Sequence, residues 1–159
     1  MDDQTLVRPA VAADADILAS IAREAYSVYI PRVGLEPAPM SADYIAAIAN
    51  DMVWVAEDRA GVVGLIVLQD MGDHLLLENV AVLPRSQGRG VGSRLLRRAE
   101  AIAAQRHLPE IRLYTNEAMT ENLTFYQYQG YVETHRGVQD GYHRVFFAKA
   151  VSPSARPAR

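Results

Sequence analysis

Cysteine is absent from all 159 residues. Disulfides, thiolate metal sites and a cysteine nucleophile are thereby excluded, while the cellular compartment is left open by this count. Long apolar runs are missing too, and nothing approaches the roughly 18 residues a membrane span requires. The acidic start, Met1-Asp2-Asp3-Gln4, is followed by no apolar segment of the signal-peptide kind. No secretory leader and no membrane partner are expected, and the default setting is cytoplasmic. Charge of one sign is also lacking: a net charge of −3 and a pI near 5.8 give no general pull toward nucleic acid or anionic lipid. Arginine is nevertheless crowded in one segment, at Arg85, Arg89, Arg94, Arg97, Arg98 and Arg106. His74, His107, His135 and His143 are scattered at no metal-ligand spacing, so no metal site is expected.

What is present suits one ordinary domain over residues 1–151, with a tail over 152–159 expected to be disordered. Half the residues are hydrophobic and 22% are charged, the profile of a globular chain with a real core. No internal repeat is visible. A short strand over Thr5–Arg8 ends at Pro9, and Asp14 or Asp16 is placed to cap a helix carrying Leu18, Ile21 and Ala22 at helical spacing. Prolines break up the next segment until Ser41, which reads as the N-cap of a helix with Tyr44, Ile45 and Ile48. Strands are expected over Met52–Glu57, Val62–Leu68 and the apolar run His74–Leu83, the last covered on both faces. A helix with the stripe Val91, Leu95, Leu96, Ala99, Ile102 and Ala103 follows a glycine-rich turn. Then come a strand over Ile111–Thr115, a helix over Met119–Tyr128 and two closing strands joined through Gly137 and Asp140-Gly141.

The stretch Val80-Ala81-Val82-Leu83-Pro84-Arg85-Ser86-Gln87-Gly88-Arg89-Gly90-Val91-Gly92-Ser93 carries the chemistry. A buried strand, a glycine turn and a helix start together point unpaired N–H groups and a positive dipole end at one spot. That arrangement binds phosphate or pyrophosphate. A P-loop would need Lys-Ser or Lys-Thr after the last glycine, and a dinucleotide fingerprint would need Gly-x-Gly-x-x-Gly on the first strand. Gly92-Ser93-Arg94 and the spacing Gly-x-Gly-x-Gly fit neither. Gln87-Gly88-Arg89-Gly90-Val91-Gly92 instead matches Gln/Arg-x-x-Gly-x-Gly/Ala, and Asn122-Leu123-Thr124-Phe125-Tyr126-Gln127-Tyr128-Gln129-Gly130-Tyr131 matches Asn-x-x-x-Tyr-x-x-x-Gly-Phe/Tyr. On these two motifs and the order of its elements, the chain resembles the GCN5-related N-acetyltransferase family over nearly its whole length.

The resemblance implies an α/β (α+β) fold: a mixed, mostly antiparallel sheet of six to seven strands flanked by helices and splayed at its central strands. It implies acetyl-CoA as acetyl donor, without a metal, and an amine as acceptor. Backbone groups of Ala81 and Val82 would pair with the pantetheine arm, and N–H groups from Gln87, Gly88, Arg89, Gly90, Val91, Gly92 and Ser93 would bind the pyrophosphate. Arg85 and Arg89 are candidates for the remaining phosphate charge, or simply a solvated face. Asn122 would hydrogen-bond the arm or cap its helix. Proteins of this fold pair edge strands or pack helices as dimers, so a homodimer is among the expectations.

Acetyl transfer needs a neutral amine, a donor to the thioester oxygen and a proton for the departing thiolate. Without cysteine, direct attack in a ternary complex is expected. Tyr126, at the family's tyrosine position, is the candidate general acid; the alternative is an aromatic packing its helix onto the sheet. Glu78 interrupts an apolar strand, where burial would raise its pKa, and it is the candidate general base beside the acceptor. A structural glutamate, with water as base, is the alternative. Val82 N–H is the candidate oxyanion donor. In the family the segment after the first helix forms part of the acceptor pocket, which here supplies Tyr26, Tyr29 and Arg32, with Ile30, Met40 and Tyr44. Such a wall suits a small amphipathic molecule bearing a carboxylate, or the tyrosines only pack the segment. Tyr142, Arg144 and Arg136 would close the other side, and Glu117 and Glu121 would face the acceptor or solvent. Three functions stay open: acetyl transfer to a small-molecule amine, transfer to a protein N-terminus or lysine, and non-catalytic acyl-CoA binding.

Overall fold

A long sheet organises the chain, and the computed structural model describes it over residues 5–152. The expected disordered tail, apart from Ser152, lies outside the described residues. In chain order the elements are β1 (Leu6–Pro9), α1 (Ala15–Tyr26), α2 (Ile30–Val33), α3 (Tyr44–Ala49), β2 (Val53–Asp58), β3 (Gly61–Asp70), β4 (Leu75–Val82), α4 (Val91–Gln105), β5 (Glu110–Asn116), α5 (Thr120–Tyr128), β6 (Val132–Gln139) and β7 (Tyr142–Ala150). Seven strands lie in the order β1-β2-β3-β4-β5-β7-β6. Every neighbouring pair is antiparallel except β4 with β5. The mixed, mostly antiparallel sheet flanked by helices is therefore the architecture observed.

The parallel pair is short. Leu75 pairs with Ile111 and Leu76 with Arg112, and there the pairing stops. β5 runs on beside β7 as far as Asn116 opposite Arg144. From Leu77 onward the β5-facing edge of β4 has no strand neighbour, which is the splay the sequence led one to expect. β3 keeps pairing with β4 up to Val82, with a bulge between Val67 and Leu68 that lets Glu78 fall between paired positions.

Burial separates the two central strands. Val63 through Leu68 of β3 are buried on both faces, whereas β4 alternates, with Leu75, Leu77, Asn79 and Ala81 buried and Glu78 exposed. Burial is thus continuous along β3, whereas in the run His74–Leu83 it is interrupted at Glu78. Both α1 and α4 pack on β4, and its later residues also border two cavities. The expected stripe of α4 is buried in full, with Leu95, Leu96, Ala99 and Ala103 at 0% exposure. Within α1, Leu18, Ile21 and Ala22 are equally buried.

Three local expectations are corrected. The Asp14 carboxylate does not cap α1; it accepts from Val11 N–H at 2.8 Å and pairs with Arg8 at 2.9 Å, the stronger partner for a charge. α3 is capped by Asp43, which accepts from Ala46 N–H at 3.0 Å, and not by Ser41, which belongs to a 3-10 turn. Gly137 lies within β6, and the hairpin turns on Asp140 and Gly141 alone.

The start of α4 is held close to the sheet at Gly64. A Cβ there would stand 3.1 Å from the Ala81 carbonyl oxygen, 3.2 Å from Val91 Cγ1 and 3.3 Å from Leu95 Cδ1. Gly64→Ala is expected to cost about 1–3 kcal/mol, the usual penalty of overpacking. Urea unfolding measures it, and an unchanged midpoint would contradict this packing.

Candidate functional site

Strand register decides which backbone groups face the splay. Leu83 N–H donates to Val63 O at 2.9 Å, so positions 83, 81 and 79 direct their N–H and C=O toward β3. Val80 and Val82 then turn theirs toward the gap. Side chains on that edge agree with this: the Tyr26 hydroxyl lies 3.0 Å from Val80 O, and Gln87 Nε2 donates to Val82 O at 3.0 Å. Of the two residues expected to offer backbone groups to a bound arm, Val82 turns its groups toward the gap, whereas Ala81 directs its groups to Leu65 of β3; Val80 faces the gap as well.

β4 leads through a 3-10 turn, Pro84–Ser86, into the glycine stretch. Gly88 and Gly90 have φ of 79° and 83°, the left-handed region that side chains with a Cβ resist. Gly90 caps α4 with no side chain in the way, so the N–H groups of Val91, Gly92 and Ser93 have no helical acceptor and point past the helix end. The fifteen residues of α4 add the positive end of a helix dipole. Gly92 lets α5 approach, since a Cβ there would lie 3.1 Å from Phe125 Cζ.

These parts enclose a cavity of about 440 Å³ lined by Val80, Ala81, Val82, Gln87, Gly88, Gly90, Val91, Gly92, Ser93, Asn122 and Tyr126. Phe125, Tyr128 and Gln129 complete that wall, and Gln129 Nε2 donates to Ser93 Oγ at 2.9 Å. Arg85 and Arg89 are exposed and line neither this cavity nor the next. Tyr29 borders this cavity and not the next one. Asn122 does not cap α5, which begins after Met119; its Nδ2 donates to Thr115 Oγ1 at 3.3 Å.

A second cavity, of about 270 Å³, adjoins the first at Val80 and is lined by Glu78, Tyr44, Tyr114, Tyr142, Arg144 and Met119, among others. Tyr26, Val80, Asn122 and Tyr126 border both spaces. The Tyr126 side chain is buried against Phe125, Tyr131 and Phe147, yet its hydroxyl has no hydrogen-bond partner among the described residues. Burial, and secondarily Tyr29, raises its pKa, so it stays a phenol. Glu78 opens to the second cavity, but surrounding protein removes enough water to raise its pKa above the ordinary value. It makes no hydrogen bond to any described residue.

The wall between the cavities is tied by a buried chain of hydrogen bonds. Tyr26 donates to Asn79 Oδ1 at 2.8 Å, Asn79 Nδ2 donates to the Tyr44 hydroxyl at 2.9 Å, and Tyr44 donates to Pro39 O at 2.7 Å. Burial pushes Tyr44 up to about 12 against the opposing Asn79 bond, so these hydroxyls stay protonated. Arg32 does not line the second cavity. It forms an ion pair with Glu121 at 2.6 Å, which holds that carboxyl down at about 2, and lies over the Tyr29 ring. Arg136 is likewise engaged, by Glu133 and Glu117. Tyr142 and Arg144 line the second cavity. Val80, Asn79, Tyr114, Thr115 and Met119 were not among the expected site residues. Only the register, read with its bulge, would have pointed to Val80. Among the described residues, no group of His, Cys, Asp or Glu is arranged to hold a metal ion, and no helix is long and apolar enough to cross a membrane.

An acetyltransferase (GNAT) domain family matches residues 49–133, more than half the chain. The chain belongs to this family of acetyl-CoA-dependent N-acetyltransferases. Solved structures share the fold. PaiA N-acetyltransferase from Thermoplasma acidophilum, in complex with coenzyme A, superposes with a TM-score of 0.79 at 19% identity, over 92% of this chain and 98% of that one. Ribosomal-protein-S18-alanine N-acetyltransferase from Escherichia coli gives 0.72 at 15% identity, over 98% and 99%. A GCN5-related N-acetyltransferase from Rhodopseudomonas palustris gives 0.79 at 21% identity, over 94% and 97%. No curated protein matches by sequence.

Gly90→Val introduces a β-branched residue where φ is 83° and moves the N–H groups of the turn. Coenzyme A at a hundred times its dissociation constant should stabilise the native protein by about 2.7 kcal/mol. The variant is expected to stay folded and to lose that rise in melting temperature. A retained rise would remove the phosphate assignment from this turn.

Proposed function

We propose that the protein transfers the acetyl group of acetyl-CoA to a primary amine of a small molecule, by direct attack in a ternary complex. One observation carries this reading: two cavities, one at the glycine turn and one holding Glu78, are both lined by Tyr126, whose hydroxyl has no hydrogen-bond partner among the described residues. The larger cavity fits the donor. Its helix-start N–H groups suit pyrophosphate, and the unpaired edge of Val80 and Val82 suits an extended arm with amides, as an added strand would be held.

Bound there, acetyl-CoA supplies a thioester whose carbonyl carbon accepts the amine while the coenzyme A thiolate departs. The chain's own groups do the rest. Val82 N–H faces the gap and donates to the thioester oxygen as it gains charge. Glu78, whose pKa is raised by burial toward a range useful for a base, takes the proton that leaves the ammonium. Tyr126, kept as a phenol by burial, gives a proton to the departing sulfur and regains one from the nitrogen, which loses its second proton as the amide forms. Asn122 and Ser93 help hold the donor's position from α5 and α4.

A small acceptor is favoured because the second cavity is bridged at its rim. The Tyr142 hydroxyl donates to Glu36 O at 2.8 Å and ties β7 to the segment after α1. A protein N-terminus or lysine would need that tie to open.

Thiol release is a clean assay here, since the protein contributes no thiol. Tyr126→Phe is expected to lower kcat about 10²–10⁴-fold, the range for a lost general acid, while coenzyme A still raises the melting temperature. Activity within twofold of wild type would remove the acid role. Glu78→Gln is expected to slow the reaction at pH 7 at least tenfold, with the rate recovering as pH nears the amine's own pKa of about 10. Because the Glu78 pKa is raised, the wild-type acid limb should lie above the ordinary glutamate range. An unchanged profile in Glu78→Gln would leave deprotonation to water.

A further inference from the structure

The acceptor cavity carries charges of both signs, and the transfer chemistry accounts for only one of them. Glu78 stands on β4 and Arg144 on β7, with β5 between the two strands, and both side chains line the same space. The Arg144 guanidinium lies 4.2 Å from the centre of the Tyr114 ring and 5.4 Å from that of Tyr142. Its Nη1 donates to the amide oxygen of Gln139. No carboxylate among the described residues reaches it. Neighbouring arginines differ, for Arg32 is neutralised by Glu121 and Arg136 by Glu133. The cavity's other carboxylate, Asp43, is held by Ala46 N–H as the cap of α3.

A guanidinium laid on aromatic faces keeps its plane fixed and its edge donors available, the form that recognises a planar carboxylate. Resting on the pi faces, it remains charged without a counter-ion. The rest of the lining is mostly apolar or aromatic, with Leu77, Tyr44 and Met119 among it, and the polar Asn79, Thr115, Asn116 and Asn122 are interspersed. We propose that the acceptor is an amino carboxylate with an apolar body, its amine at Glu78 and Tyr126 and its carboxylate on Arg144. This rests on the acetyl-transfer reading above and makes Arg144 the residue that selects the substrate. A polyamine would place positive charge against Arg144 and leave it uncompensated. A phosphorylated amine would bring a second negative charge into a cavity already holding Glu78 and Asp43.

The test uses matched acceptors that differ only in the carboxylate: phenylalanine with phenethylamine, leucine with isoamylamine, and 6-aminohexanoate with pentylamine. Spermidine and phosphoethanolamine serve as the rival chemistries. Wild-type protein is expected to turn over at least one acid with a kcat/KM tenfold or more above its decarboxylated partner. Arg144→Gln should lower that ratio at least tenfold, mainly through KM for the acid, and Arg144→Lys should keep part of it. Melting temperatures with and without coenzyme A show that both variants remain folded. A preference for the plain amines, spermidine or phosphoethanolamine overturns the proposal. So does an equal loss on both members of a pair in Arg144→Gln. A melting rise with coenzyme A but no turnover of any acid refutes the acceptor assignment and leaves acetyl transfer standing; no rise with coenzyme A refutes both.

Discussion

The early parting of β4 and β5 is the constraint on which the site depends. A strand in the middle of a sheet normally satisfies its N–H and C=O groups on both edges, because leaving such a group dry and unpaired costs about 1–3 kcal/mol. Here the partnership lasts for two residue pairs, and β7 follows β5 away from β4. The freed edge keeps its carbonyls quiet with side chains, Tyr26 at Val80 and Gln87 at Val82. The N–H groups of Val80 and Val82 face the opening. At its far end β4 delivers the chain into the glycine turn and α4, whose own unpaired N–H groups face the same space. One strand therefore aligns two sets of donors, and a ligand with an extended amide arm and a pyrophosphate satisfies both.

The packing that keeps this geometry is ordinary, and it is placed to serve the site. α4 is pinned by its fully buried stripe and by the close contact at Gly64, so the turn cannot drift from the strand. The Tyr26–Asn79–Tyr44 chain crosses between the cavities and joins α1, β4 and α3. It fixes the shared wall while leaving Tyr126 and Glu78 unbonded. Asn79, bonded on both sides, and Glu78, proposed as the base, are thus adjacent on one strand.

Much of this was legible in the residues. The stripe of α4, the glycine turn and the Asp140-Gly141 hairpin are local patterns, and each stands where the pattern put it. The strand–turn–helix order around Gly88 and Gly90, read from sequence, is present in the fold, and it is the basis for proposing an anion site there. Other features depended on partners far along the chain. Arg32 resembled a carboxylate binder until Glu121, 89 residues away, was seen to neutralise it. Ser41 and Asp43 are both fair caps in sequence, and only backbone geometry decides for Asp43. That Val80 and not Ala81 faces the gap follows from antiparallel alternation, and a bulge between Val67 and Leu68 makes that alternation unreadable from either strand alone. The arginine that lines the acceptor cavity lies on the last strand, which no local motif connects to Glu78.

Residue-resolved amide hydrogen exchange tests the central claim most directly, with and without coenzyme A. The Ala81 amide, bonded to β3, should be protected in both states. The Val80 and Val82 amides should exchange fast in the free protein and slow by at least tenfold when coenzyme A is bound, together with those of Gly92 and Ser93. Protection of Val80 and Val82 already complete in the free protein, or unchanged on binding, would contradict the open edge of β4 as the place where the donor docks.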